Sequence, residues 1–284
     1  MLFTYIENII NPGEKLRKIL EELFPSDFSS GQSCVNKIDS ALLAEGELAS
    51  LVYRSTINYL LRRLISTAVY IDKKREKEGL PKFGVQNELR NFINRNLVIR
   101  NKSTVEKIVA LLIECIKAKE ETTPSSVVKA VKSRGETLCY ICGRQLNFAT
   151  KSQMDSAEME HVFPRNLGGS SKAEDNLKYG CFKCNQGKKS YADDSDYHYE
   201  EICLMTDEEL DEESFKKSFE HTYKLGIRSK NQYSCHICNE PAVKRGELHF
   251  ARRNPEDSWH FLNIDTYCAK HLVMVKKRQN RKAF

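Results

Sequence analysis

No apolar run in this 284-residue chain is long enough to cross a bilayer. The most apolar helical stretch, Ile108 to Ile116, is interrupted by Glu114 and falls well short of the roughly twenty residues that a span needs. A secretory leader is also missing, since Met1 to Ile10 already carries Glu7 and Asn8 and has no basic start ahead of a clean apolar core. Low-complexity tracts and coiled-coil arrays are absent, which leaves an ordinary globular chain with room for two or three domains. Nor does one charge dominate. With 45 basic against 39 acidic residues the formal charge is only +6, so affinity for nucleic acid must come from local patches rather than a global field. These absences point to a cytoplasmic protein that does not engage membranes.

What the chain does have is ten cysteines, most of them in paired knuckles. Cys139-Tyr140-Ile141-Cys142 and Cys181-Phe182-Lys183-Cys184 supply four soft ligands in the number and spacing that tetrahedral structural zinc prefers. A reducing compartment favours metal over disulfide for such a set. Gly143, directly after the first pair, suits the left-handed backbone of a knuckle turn.

Between and just after these ligands stand Glu160, His161, Pro164, Gly168, Gly169, Asn176, Asn185 and Lys188. In that order and around that cage, the residues resemble the HNH endonuclease family, with its ββα-metal fold, over roughly a fifth of the chain. The resemblance implies that His161 ends a first strand, that Asn176 lies near a second, and that Asn185 opens a helix after Cys184. The third motif letter is Asn185 rather than His, a familiar variant. Glu160 stands where Asp is commoner, and its extra methylene bears on metal geometry.

Phosphodiester hydrolysis needs an activated water, a stabiliser for charge on the phosphate and help for the leaving 3′ oxygen. His161 is the candidate general base, because imidazole titrates near neutrality. Glu160 and Asn185 offer oxygen ligands for a catalytic Mg²⁺ or Mn²⁺. By the resemblance, Asn176 holds the loop and the histidine in register, and Lys188 or Arg165 contacts phosphate. Taken singly, His161 would be an ordinary structural histidine and Asn185 a helix cap; their joint spacing argues otherwise.

A second zinc set follows in Cys235, Cys238, Cys268 and His271, with His236 and His249 as competitors for the fourth place. Between its pairs, Glu247 to Phe250 and Trp259 to Leu262 read as two strands around an Arg253-Asn254-Pro255-Glu256-Asp257 turn. Matching the two cages sets His249 opposite His161, Leu248 opposite Glu160, Asn263 opposite Asn176 and Leu272 opposite Asn185. On that match the second module is a degenerate copy and not a second active site; the alternative is an unrelated zinc ribbon. Its basic surroundings (Lys244, Arg245, Arg252, Arg253, Lys276, Lys277, Arg278, Arg281 and Lys282) suit a phosphate backbone.

Elsewhere the pattern is helical. Apolar residues recur at helical spacing over Ser55 to Ile71, Val85 to Leu97 and Val105 to Ile116, the last with Ser103 as its expected cap. Thr206 to Tyr223 reads as a further helix, and His198 and His221 receive no role. The expected fold is α+β: a helical domain over 1–121, a linker and short basic helix over 122–134, the ββα-metal zinc module over 135–192, a connecting helix over 193–230, and a treble-clef-like zinc module with a basic tail over 231–284. The expected function is metal-dependent cleavage of nucleic acid, DNA in preference to RNA. The N-terminal helices are candidates for dimerisation or for docking a partner protein, as in the effector of a restriction or anti-phage system. The rival reading is a non-catalytic zinc protein that binds nucleic acid or docks a partner.

Overall fold

The structure is a computed structural model that describes residues 11–26, 34–42, 46–197 and 220–282. Six helices lead: α1 (Pro12–Leu23), α2 (Cys34–Ala41), α3 (Glu47–Lys77), α4 (Gly84–Asn96), α5 (Lys102–Glu120) and α6 (Ser125–Ser133). They are followed by β1 (Ala157–His161), β2 (Leu177–Cys181), α7 (Phe182–Lys188), α8 (His221–Lys230), α9 (Ala242–Arg245), β3 (His249–Arg252), β4 (Ile264–Tyr267) and α10 (Ala269–Lys282). The chain is thus helical toward its N-terminus and mixed afterwards, with two-stranded sheets β1-β2 and β3-β4. Among the described residues no helix is long and apolar enough to cross a membrane. Most of the helix expected over Thr206 to Tyr223 lies outside the described residues, as do His198 and the side chains of Arg278, Arg281 and Lys282.

The chain divides into two units, one of which comprises residues 1–30, 53–133 and 161–177. Its core is built from helical stripes: Leu16 and Leu20 of α1, Leu61, Leu64 and Ile65 of α3, Leu89 and Ile93 of α4, and Val105, Ile108, Val109 and Leu112 of α5 are all buried. These recur at three and four positions, so each helix turns one continuous apolar face inward. Helix α5 is capped by Asn101, whose side-chain oxygen accepts from Ser103 N at 2.9 Å and Thr104 N at 3.4 Å. Ser103, the expected cap, instead lies within the first turn; Asn101 has the extended backbone that lets a cap side chain reach back to the helix amides.

The loop from His161 to Leu177 belongs to this unit and is anchored by close backbone approach. Gly13 N donates to Gly168 O at 3.3 Å. A Cβ on Gly13 would stand 1.6 Å from Leu167 O, and one on Gly169 2.0 Å from Phe163 O, so neither site tolerates a side chain. Gly168 itself has φ +83°, the left-handed region.

The other unit comprises residues 31–52, 134–160 and 178–284. Its core joins Tyr223 and Ile227 of α8 to Phe250, Trp259, Phe261, Ile264 and Leu51. Trp259 to Leu262 is a turn rather than the expected strand, because Trp259 and Phe261 are both turned into this core; the partner of β3 is Ile264–Tyr267, in the antiparallel register His249 to Tyr267 through Arg252 to Ile264. Alternating aromatics imitate a strand's period whenever a loop buries every second residue.

The two zinc modules share a set of backbone hydrogen bonds. In the first, Cys139 N donates to Arg144 O, Gly143 N to Cys139 O, Leu146 N to Thr137 O and Tyr140 N to Tyr179 O. In the second, Cys235 N donates to Glu240 O, Asn239 N to Cys235 O, Ala242 N to Tyr233 O and His236 N to Thr266 O, at the same offsets from the first cysteine and from β4. Gly143 and Asn239, both four residues into the knuckle, share a positive φ of 73° and 55°. Val162 N bonds to Asn176 O as Arg253 N bonds to Asn263 O. The second module is therefore a copy of the first fold, and the ribbon alternative falls.

Candidate active site and zinc cages

Each knuckle aims its cysteines inward because a left-handed residue closes the turn after the second ligand. Among the described residues two groups bring four ligand atoms within 4.8 Å of one another: Cys139, Cys142, Cys181 and Cys184; and Cys235, Cys238, Cys268 and His271. These are the eight residues expected as ligands, brought together in two groups with the reach to hold a metal ion. None of the seven cysteines in these groups forms a disulfide. Tetrahedral zinc with Zn–S bonds near 2.3 Å sets its sulfurs about 3.8 Å apart, and Cys142 Sγ lies 4.0 Å from Cys181 Sγ. In the second cage His271 Nδ1 lies 3.4 Å from Cys235 Sγ and 3.3 Å from Cys268 Sγ, which gives His271 the position for a fourth ligand. Its competitor His236 turns its Nδ1 toward Asn231 instead.

The first four thiols share protons. Hydrogen bonding from Cys139, then Cys181 and Cys184, holds Cys142 well below the ordinary thiol range, while hydrogen bonds to its neighbours push Cys139 and Cys184 up. Four buried thiolates this close repel one another unless a dication replaces those protons, so the donor set fits zinc.

Strand β1 carries Glu158 and Glu160 two residues apart and so on one face. Asn185, in the middle of α7 rather than at its start, donates through Nδ2 to Glu158 at 2.6 Å. Glu160 is 6 % exposed and accepts a hydrogen bond from the Tyr140 hydroxyl. Burial pushes the Glu160 carboxyl up, against the opposing pull of Lys188 and the Tyr140 bond. Lys188 is 2 % exposed; burial pushes its ammonium down and Glu160 pulls it back up. This lysine is therefore shut away from solvent within reach of the Glu160 charge, whereas Arg165 is exposed.

His161 ends β1, and its Nε2 lies 2.9 Å from the Oγ of fully buried Ser171. Asn176 is a clamp on the loop: its Oδ1 accepts from Phe163 N at 2.7 Å, and its Nδ2 donates to Phe163 O and Ser170 O, each at 3.2 Å. Sequence reading missed Glu158, Tyr140 and Ser171. Strand alternation in Ala157-Glu158-Met159-Glu160-His161 was the available signal for Glu158; nothing in the sequence marks Ser171.

The second copy repeats the clamp, not the chemistry. Asn263 Oδ1 accepts from Asn254 N at 2.8 Å, and its Nδ2 donates to Asn254 O and Ser258 O. Because Asn254 thus corresponds to Phe163, Arg252 stands opposite His161, Ala251 opposite Glu160 and His249 opposite Glu158. This corrects the pairing of His249 with His161 and of Leu248 with Glu160: cage spacing misaligned β3 because its loop is shorter. Leu272 does stand opposite Asn185, and Val275 stands opposite Lys188. Ala251, Leu272 and Val275 pack together with Tyr267 as an apolar cluster.

Residues 139–190 match the family model for the HNH endonuclease, 52 of the 284 residues. No curated protein and no solved structure matches the chain.

Proposed function

We propose that this protein is a metal-dependent endonuclease that hydrolyses phosphodiester bonds of DNA. The observation that carries this reading is the contrast between the two copies. Where the second fills the sheet-to-helix interface with Ala251, Leu272 and Val275, the first holds Glu160, Asn185 and Lys188. A buried carboxylate and ammonium cost several kcal/mol of desolvation per ion, which their mutual attraction only partly returns. The second copy demonstrates that the fold does not need them, so their presence in the first calls for a chemical reason.

Glu160 and Asn185 would hold a Mg²⁺ or Mn²⁺, with Glu158 beside Asn185 as a further oxygen donor. Such an ion, when bound, polarises the scissile phosphate and stabilises the departing oxygen. Water adds to phosphorus, its proton passes to His161, and the P–O3′ bond breaks to leave 5′-phosphate and 3′-hydroxyl ends. Ser171 fixes the imidazole ring from behind and Asn176 fixes the loop that carries it. Zinc in the two cages supplies cohesion, not chemistry. We further propose that the protein works in the cytoplasm as the effector of a restriction or anti-phage system; a specific protein co-purifying with it supports that role, and full activity of the isolated chain with no captured partner argues against it.

The test is cleavage of supercoiled plasmid by the wild type and His161→Ala, both verified as folded and zinc-loaded, with Mg²⁺, with Mn²⁺ or with neither. Metal-dependent nicking by the wild type alone supports the proposal. Equal cutting by both proteins removes His161 from the chemistry. Absence of cutting with DNA binding intact turns the reading toward a binding protein.

A further inference from the structure

Within the second unit, a cavity of about 100 Å³ opens beside the first cage. A water needs only about 10–15 Å³ of such space, so there is room for a group larger than water, a phosphate among them. Its wall includes the cage residues Cys142, Cys181 and Cys184 themselves, and around them Arg144 from the first knuckle, Lys183 from α7, Lys224 and Arg228 from α8, and His221 and Glu247. Arg228 is 6 % exposed and lies over the Phe250 ring, 4.8 Å from its centroid, yet its Nε is buried without a hydrogen-bond partner among the described residues.

We propose that this cavity binds a phosphate of the nucleic-acid backbone away from the cleavage residues. The proposal rests on the nuclease reading only in taking nucleic acid as the source of the phosphate. The charges support an anion even with zinc in place. A four-thiolate zinc cage carries a net charge of about −2 and Glu247 one more, against four cations on the wall. Phe250 adds an apolar surface to the wall, and a charge contact made against apolar surface is stronger than one made in open water. Arg144 and Lys183 flank the knuckles and α8 lies outside the family match, so this site would extend the nucleic-acid footprint beyond the HNH segment.

The competing account is that the cations merely offset the cage. Binding of a short fluorescein-labelled DNA duplex, measured by anisotropy across a salt series, separates the two in a His161→Ala background that cannot cut. Arg144→Gln with Lys183→Gln should raise Kd five- to tenfold at low salt and reduce the slope of log K against log salt by about 1, with zinc content unchanged. Lys37→Gln with Lys151→Gln, exposed cations elsewhere on the unit, should do neither. Zinc loss with unchanged affinity overturns the proposal in favour of charge compensation. So do an unchanged Kd and slope, an equal effect in the Lys37/Lys151 control, or a parent protein that binds no duplex. Plasmid cutting is scored separately: a nuclease indifferent to the cavity substitutions sinks this site alone, and a binder that senses them but never cuts sinks only the catalytic reading.

Discussion

The buried pair of Glu160 and Lys188 can be tested against the protein's own second copy. Lys188→Val by itself leaves the Glu160 carboxylate buried with only the Tyr140 hydroxyl for company. Removing one partner of a buried pair costs ~3–5 kcal/mol. Glu160 has a way out, because its carboxyl is already pushed up by burial and can take a proton at ~1.4 kcal/mol per unit of pKa short of the ambient pH. We expect a loss of about 3 kcal/mol at pH 7. The pH dependence follows: a carboxyl whose folded pKa lies above its unfolded value makes stability fall as pH rises above about 4.5, the model-compound value. Lys188→Val should therefore lose more stability relative to wild type as the pH rises from about 4.5. The combined variant Tyr140→Phe, Glu160→Ala, Lys188→Val removes both charges and the hydroxyl that would lose its acceptor. It reproduces the apolar interface of Ala251 and Val275, and should be as stable as wild type or up to ~2 kcal/mol more so, since apolar replacement of buried pairs is often neutral or stabilising. Urea denaturation with zinc saturating gives the stabilities, and plasmid cutting should vanish in both variants. A combined variant as destabilised as Lys188→Val, or a Lys188→Val protein within ~0.5 kcal/mol of wild type, refutes the argument.

Three further outcomes follow from single contacts. Asn176→Ala and Asn263→Ala each delete a side chain that closes one loop with three or more hydrogen bonds; each should lose ~2–4 kcal/mol by urea denaturation, and only the first should impair cutting. His221 is held near pKa 4, below its usual 6.5, by burial first and then by Lys183, Arg228 and Lys224. With the folded pKa below the unfolded one, stability falls as pH drops from 6.5 toward 4. The full shift is ~3 kcal/mol, discounted to ~1–2 for a half-buried ring, and His221→Gln should flatten the difference between denaturation curves at pH 7 and pH 5. Ser171→Ala should lower kcat about ten- to a hundredfold at little change in KM and displace the pH–rate profile, because it loosens the base without touching substrate; an unmoved profile denies Ser171 its positioning role.

The cages were legible from spacing alone, because a metal reads only which ligands can reach one point. The helices were legible too, since Leu89 with Ile93 and Ile108 with Leu112 keep one face apolar. What escaped were features set by backbone path. The match of the copies by cage spacing failed in β3, for loops of different length separate the knuckle from the strand, and only the shared bonds of Asn176 and Asn263 fix the register. Glu158 was overlooked because the motif names adjacent residues, whereas a strand presents alternate ones to a helix. Ser171 reaches His161 across a ten-residue loop held by Gly13, Gly168 and Gly169, and no local pattern encodes that closure.

Zinc held by the first cage would explain how the first copy tolerates a polar interface at all. A ββα unit of this size buries little apolar surface, so the cohesion missing from a sheet-to-helix seam of Glu158, Glu160, Asn185 and Lys188 must come from elsewhere. The second copy holds the apolar seam of Ala251, Leu272 and Val275 besides its cage. Ligand loss should therefore be felt unequally: Cys181→Ser removes most of what holds the first module, while Cys268→Ser leaves the second with its seam. Hydrogen exchange should report β1 and β2 amides losing protection in Cys181→Ser by a larger factor than β3 and β4 amides lose it in Cys268→Ser, each with one zinc released. Equal losses would mean that the apolar seam adds nothing to the cage, and the contrast between the copies would then say nothing about why the first keeps its charges.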